Sequence, residues 1–178
     1  MDPGAQAEKI AAVCDRLGVQ PEAILLTHGH FDHIMAVDAL RRQYDIPVYA
    51  GAQEAEVLSS SVKNLSGIWA SAFTVSADRF LKDREQIEIA GMQLCVISTP
   101  GHTPGGVCYY AKVQGVLFSG DTLFRDSYGR TDFPGGSTAA LFTSIRNRLL
   151  PLPEETVVYP GHGSETDIGY EKKYNPAG

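Results

Sequence analysis

The stretch LLTHGHFDH, residues Leu25 to His33, decides how the chain is read: it places three histidines and an aspartate between positions 28 and 33, directly after an apolar run. Ala23 to Leu26 is short and apolar, which suits a buried strand but does not by itself separate strand from helix. The residues after His33 decide between the two. Ile34, Val37, Leu40 and Tyr44 recur at helical spacing as far as Pro47, and Val48 to Ala50 are extended in character. The unit is strand, loop, helix, strand, and the ligand-type side chains sit on the loop at the strand's end.

The same alternation continues outward. Ala5 to Leu17 sets Ile10, Val13, Cys14 and Leu17 on one helical face, with Gly18 as a stop. Gln86 to Ala90 and Gln93 to Ser98 predict a hairpin turning at Gly91-Met92, and Val107 to Val113 with Gly115 to Ser119 predict a second. Ser137 is placed to cap a helix whose face is Leu141, Phe142, Ile145 and Leu149, closed by Pro151, and Thr156 to Tyr159 form a last strand. Leu58 to Asp83 has weak periodicity and several serines, and reads as a long surface excursion with one short helix. No repeat or linker divides residues 1–178, so one domain is expected.

All five histidines fall just beyond a predicted strand, in polar or glycine-containing turns. His28, His30 and His33 follow Ile24-Leu25-Leu26; His102 follows Val96-Ile97-Ser98 through Pro100-Gly101; His162 follows Val157-Val158-Tyr159 through Pro160-Gly161. Leu117-Phe118-Ser119-Gly120 delivers Asp121 to a fourth such end. A lone histidine near a strand end is more often a solvated surface residue, but that reading gives no reason for five of them to share one kind of place. Ligands gather beyond strand ends in open sheets. Imidazole and carboxylate together bind divalent metals, and the count allows two ions: His28, His30 and His102 for one, Asp32, His33 and His162 for the other, and Asp121 bridging.

Composition narrows the alternatives. Hydrophobic residues make up 43% and charged residues 20% of the 178, which is ordinary for a globular chain. The net charge of −6 with interspersed signs offers no basic stripe for nucleic acid. Cys14, Cys95 and Cys108 are odd in number and lack a Cys-x-x-Cys pair, so they read as reduced core residues and not as disulfides or zinc thiolates. No apolar run approaches the ~20 residues of a membrane span, and no secretory leader is evident, so a cytoplasmic protein without a membrane partner is expected.

THGHFDH resembles the His-x-His-x-Asp-His signature of the metallo-β-lactamase fold superfamily, and TPGHTPGG, FSGDTLF and PGHG are similar to its later ligand motifs, in order. The resemblance implies an α/β fold of the αβ/βα sandwich kind, two sheets face to face with helices outside and the site at one edge. Gly120 to Ser137 and the tail GHGSETDIGYEKKYNP look like the short glyoxalase II-type, hydroxyacylglutathione hydrolase-like branch. That branch implies hydrolysis of a thioester such as S-lactoylglutathione to glutathione and D-lactate, with hydroxide held between two metal ions as nucleophile. Zinc is the first candidate metal, with iron and manganese as the others. Residues 163–178 follow His162, so a separate glutathione-binding domain is not expected in this reading.

One departure concerns the start. In the family, strands precede the apolar-Asp-Pro-Gly turn that here is Met1-Asp2-Pro3-Gly4, so the first sheet is expected to lack its N-terminal strands, and a homodimer is the expected cover for the exposed edge. Catalytic roles are expected for Asp32, His33 and Asp121; for Asp32 both metal ligation and orientation of the attacking water stay open. Arg130 is a candidate for gripping a substrate carboxylate, against a loop salt bridge to Asp132 or Asp126. Tyr110 and Tyr128 are candidates for lining the pocket, against ordinary packing.

Three rival readings stand. A persulfide dioxygenase shares the resemblance and would use a single Fe(II) on His28, His102 and Asp121. Lactonases and β-lactamases of the superfamily share the ligand motifs but not the Gly120 to Ser137 segment. An inactive, shortened chain is the third.

Overall fold

The computed structural model describes residues 1–178. In chain order, α1 (Ala7–Leu17), β1 (Ile24–Leu25), α2 (Phe31–Ile34), α3 (Val37–Tyr44), β2 (Val48–Gly51), α4 (Ala55–Leu58), α5 (Ser66–Trp69) and β3 (Arg79–Leu81) build the first half. The second half holds β4 (Gln86–Ile89), β5 (Met92–Ser98), β6 (Val107–Ala111), β7 (Val116–Gly120), β8 (Leu123–Phe124) and β9 (Ser127–Tyr128). It ends with α6 (Thr138–Ser144), β10 (Val157–Pro160), β11 (Thr166–Asp167) and α7 (Ile168–Tyr174).

Two main sheets result. The first has three parallel strands in the order β1-β2-β3, and the second has six in the order β11-β10-β7-β6-β5-β4, antiparallel except for β10 beside β7. Strand alternation sorts the core into layers, because successive side chains point to opposite faces. Leu25, Leu81, Val96, Val107 and Tyr109 fill the space between the sheets. Ile24, Leu26 and Val48 face Val37 and Leu40 of α3. Ile97, Cys108, Tyr110 and Leu117 face Leu141 of α6 and Ile168 of α7. This is the expected sandwich of two sheets with helices outside. The Tyr109 hydroxyl, wholly buried, donates to Leu26 O (2.9 Å) and Val107 N–H donates to Thr27 O (2.8 Å), which ties the sheets together at the end of β1.

Several local expectations are corrected. The first hairpin turns at Ala90-Gly91, both at positive φ (53° and 70°), one residue earlier than Gly91-Met92, since a two-residue turn of this twist needs both central residues left-handed. In the second, Val113 lies in the loop and is 84% exposed. Val13 and Leu17 of α1 are exposed, and only Ala11 is fully covered, with Ile10 and Cys14 half-buried. Cys95 too is half-buried, so of the cysteines only Cys108 is a core residue. The helix after the histidines is interrupted at Met35-Ala36, where Ala36 N–H leaves the helix pattern to reach Pro3 O. Residues 58–83 are more than a surface excursion, because they supply β3, bury Asn64, Leu65, Ser66 and Val75, and carry α5 to the edge of the site.

The predicted cap at Ser137 is present: its Oγ accepts from Ala140 N at 3.3 Å, at the start of a helix that ends in a wider π turn over Ile145–Leu149. Ser137→Ala is expected to cost about 1 kcal/mol, read as a lowered thermal midpoint; an unchanged midpoint would contradict the cap.

Candidate metal centre

The four strand ends converge. His28, His30, His33 and His102 are 2%, 3%, 3% and 5% exposed, and their rings gather around Asp121 while His162 stays open to solvent. His30 Nδ1 lies 2.8 Å from His102 Nε2, and His28, His30 and His102 form one group of ligand atoms within 4.8 Å of one another. Asp32, His33 and His162 form a second, with His33 Nε2 and His162 Nε2 3.2 Å apart and His162 Nε2 3.3 Å from Asp32 Oδ2. Asp121 sits between them. Its Oδ1 is 3.3 Å from His33 Nε2, and its Oδ2 is 3.6 Å from His102 Nε2 and 3.5 Å from His162 Nε2.

Local sequence explains the approach. The loop between β1 and α2 is short enough that Asp32 and His33 fall in the first turn of α2 while His28 and His30 are still extended beyond the strand. Gly161 is obligatory beside the centre, because a Cβ there would overlap Asp121 Oδ1 and His33 Cε1. Gly101, at φ 143°, lets the turn before His102 pass against the backbone of Leu141.

Outer hydrogen bonds orient the rings, as such partners do in metal sites. His102 Nδ1–H donates to Arg130 O (2.7 Å), which turns Nε2 inward. His33 Nδ1 faces Asp2 Oδ2 at 3.3 Å, and the same Asp2 accepts from Thr27 N–H (2.7 Å) and Thr27 Oγ1–H (2.6 Å). Thr27 Oγ1 in turn lies 3.1 Å from His28 Nδ1. Asp2 joins His28 and His33 in a third close group of ligand atoms, but its oxygens are spent on these contacts, so it supports a ligand rather than acting as one.

The residues present fit divalent metal. His28 Nε2, His30 Nε2 and Asp121 Oδ1 are buried polar atoms with no hydrogen-bond partner, a costly arrangement unless another group satisfies them. Burial, helped by neighbouring imidazoles, holds His28 well below its usual range and His30 at about 3, and burial also lowers His102 against the pull of Asp121. Those three rings are therefore neutral and offer lone pairs. Burial acts on His33 in the same direction, but the Asp2 carboxylate, with Asp121 and Asp32, outweighs it and raises His33 to about 9. Burial lifts the Asp121 carboxyl above its ordinary range, opposed by His33, His102 and His162.

All seven expected ligands are thus brought together. Of the substrate-side candidates, Arg130 and Tyr128 line the cleft beside the centre, which has a volume of about 370 Å³. The Arg130 guanidinium is committed to Asp132, Nε and Nη2 donating at 2.7 and 2.6 Å, so the loop salt bridge is the arrangement found. Tyr110 is corrected: it is 7% exposed and packs toward α6 and α7, because alternation along β6 turns it away from the cleft. The sequence reading missed Glu54 and the cleft residues Phe31, Leu65, Trp69, Phe124 and Phe133. No spacing in the sequence marks them.

Glu54 is wholly buried and joins two ligand loops, Oε1 accepting from Gly29 N–H (2.8 Å) and Oε2 from Thr103 Oγ1–H (3.0 Å). Burial raises its carboxyl to about 7 despite those bonds.

A family model described as the metallo-beta-lactamase superfamily matches residues 2–162. The "Probable metallo-hydrolase YqgX" of Bacillus subtilis is 43% identical over 177 residues, covering 98% of this chain and 84% of that protein. The "Hydroxyacylglutathione hydrolase GloC" of Haemophilus influenzae is 36% identical over 183 residues, covering 99% and 84%. Among solved structures, that of TTHA1623 in a di-iron-bound form superposes with a TM-score of 0.89 at 39% identity, covering 98% of this chain and 86% of that one.

The folded protein holds the Glu54 proton more tightly than an unfolded chain would, so this residue contributes stability that is full below about pH 4.5 and lost as pH rises through about 7. Glu54→Gln is expected to flatten the fall of the thermal midpoint across that window relative to the unsubstituted protein. Equal slopes for the two proteins would contradict the assignment.

Proposed function

The chain belongs to the metallo-β-lactamase superfamily, and we propose that it is a metal-dependent hydrolase of thioesters, acting as glyoxalase II does on S-lactoylglutathione. In this reading His28, His30 and His102 hold one divalent ion, Asp32, His33 and His162 hold a second, and Asp121 is shared. The observation that carries it is the position of Asp121, one oxygen toward His33 and the other toward His102 and His162. Nitrogen and carboxylate donors without thiolate suit zinc first, and iron or manganese as well.

Ions bound there supply Lewis acidity and bring the pKa of a held water from ~15.7 toward ~7. The chain's own residues do the rest. Burial keeps His28, His30 and His102 unprotonated, so they compete for no proton with the reacting groups. Asp32, 39% exposed, is the more open of the two carboxylates lining the cleft and can accept a hydrogen bond from the attacking water. A thiol leaving group, with a pKa near ~8.5, departs as thiolate without a dedicated acid.

Support for a hydrolase comes from the name of YqgX, and support for thioesters from that of GloC. The gathering of Asp32, His33 and His162, which a single iron on His28, His102 and Asp121 would leave unused, favours two ions, as does the di-iron form of TTHA1623.

Metal-loaded protein is expected to release free thiol from S-lactoylglutathione, and Asp121→Ala to lose both bound metal and at least about 100-fold in rate. Absence of thiol release from S-lactoylglutathione and from acetyl and phenylacetyl thioesters, with zinc, iron and manganese alike, would overturn the thioester reading. Full metal content in the variant would overturn the shared ligand.

A further inference from the structure

The cleft has a distinct aromatic side. Phe31 and Trp69 meet edge to face with centroids 6.3 Å apart at 86°, Trp69 and Phe133 at 5.5 Å and 77°, and Phe133 meets His30 at 5.6 Å and 80°. A continuous wall therefore runs from solvent, where Trp69 is 57% exposed, to a ring of the candidate metal centre. Across the cleft, Phe124 stands edge-on to His162 at 6.2 Å. An indole more than half exposed, yet held in place by two aromatic neighbours, leaves apolar area that an apolar ligand group would cover with gain.

Charge points the same way. Arg130 is the one permanent cation among the residues lining the cleft, and its fork is engaged by Asp132 while its Cζ lies 3.9 Å from the Phe133 centroid. Its charge is thereby spent on holding the wall. The other charged lining residues are Asp32 and Asp121, both acidic. The carboxylates or phosphates of a large thiol carrier meet a single cation here, already paired through Nε and Nη2 with Asp132, whereas a flat apolar group finds a surface adjoining the reacting centre.

We propose that Trp69, Phe133 and Phe31 form the acyl-binding wall and that this enzyme, while able to hydrolyse S-lactoylglutathione, prefers thioesters with an apolar or aromatic acyl group, with little regard for charged groups on the thiol. The bond broken rests on the thioester function proposed for the same centre. The wall's preference is measurable without any bond breaking.

Trp69 is the chain's one tryptophan, so its emission reports occupancy of the wall directly. Metal-loaded protein titrated with phenylacetate should show a saturable change in tryptophan fluorescence. Acetate should displace phenylacetate only at about tenfold higher concentration, and S-methylglutathione should leave the emission unmoved. In parallel, kcat/KM is measured for phenylacetyl and acetyl thioesters of both glutathione and N-acetylcysteamine. The aromatic acyl group should be preferred by about tenfold on either thiol, with less than about threefold change between thiols. Trp69→Ala should erase most of that preference, mainly through KM, and Trp69→Phe should restore most of it.

Silent emission with phenylacetate, a response to S-methylglutathione, a preference unchanged in Trp69→Ala, or selection governed by the thiol would each overturn the proposal. Saturable fluorescence without turnover of any thioester would instead refute the thioester reading and leave the apolar wall standing.

Discussion

Imidazole nitrogens buried without partners constrain everything around them. His28, His30, His33 and His102 are each at most 5% exposed, and they crowd around one buried carboxylate. Such a cluster is unstable as a set of free side chains: neutral rings leave lone pairs unsatisfied, and protonated rings repel one another. Outer partners fix the directions of the His33, His28 and His102 rings, through Asp2, Thr27 and the Arg130 carbonyl, and His30 turns its Nδ1 toward His102 Nε2 in the common interior. Divalent ions held among them would remove that cost.

The fold's task is to bring the four strand ends to that interior without leaving backbone unpaired. One end comes from the small parallel sheet and three from the large one, so the site lies where the two sheets meet. The cross-sheet bonds from Tyr109 to Leu26 and from Val107 to Thr27 fix this meeting point one residue before His28. Glu54, reaching Gly29 from one side and Thr103 from the other, locks the loops bearing His28, His30 and His102 into a single unit. At the far side Glu171 accepts from Thr166 Oγ1 (2.6 Å) and Asn175 Nδ2 (2.7 Å), and Asn175 also donates to Ser127 O (2.9 Å). Helix α7 thus holds the small β8–β9 hairpin that presents Phe124 and Tyr128 to the cleft.

The ligands were legible in the sequence because their spacing is local: each lies within a few residues of a strand that its own apolar pattern announces. Sandwich architecture was legible through the ligand motifs that the resemblance rests on. Side-chain roles that depend on distant contacts were not. Glu54 meets Gly29 across 25 positions and Thr103 across 49, and nothing near it in the chain distinguishes it from a solvated helix-start glutamate. Tyr110 was misassigned because alternation shows that neighbours face opposite ways without showing which way faces the cleft. Strand β3 escaped notice because Arg79 and Phe80 are exposed and only Leu81 is buried, which leaves no apolar run to read.

The converged strand ends are arranged as one centre for two ions. Element-resolved mass spectrometry on protein purified without added metal or chelator counts them directly. Two divalent ions per chain are expected, chiefly zinc with some iron or manganese. A single ion per chain, iron above all, would rule out the paired centre.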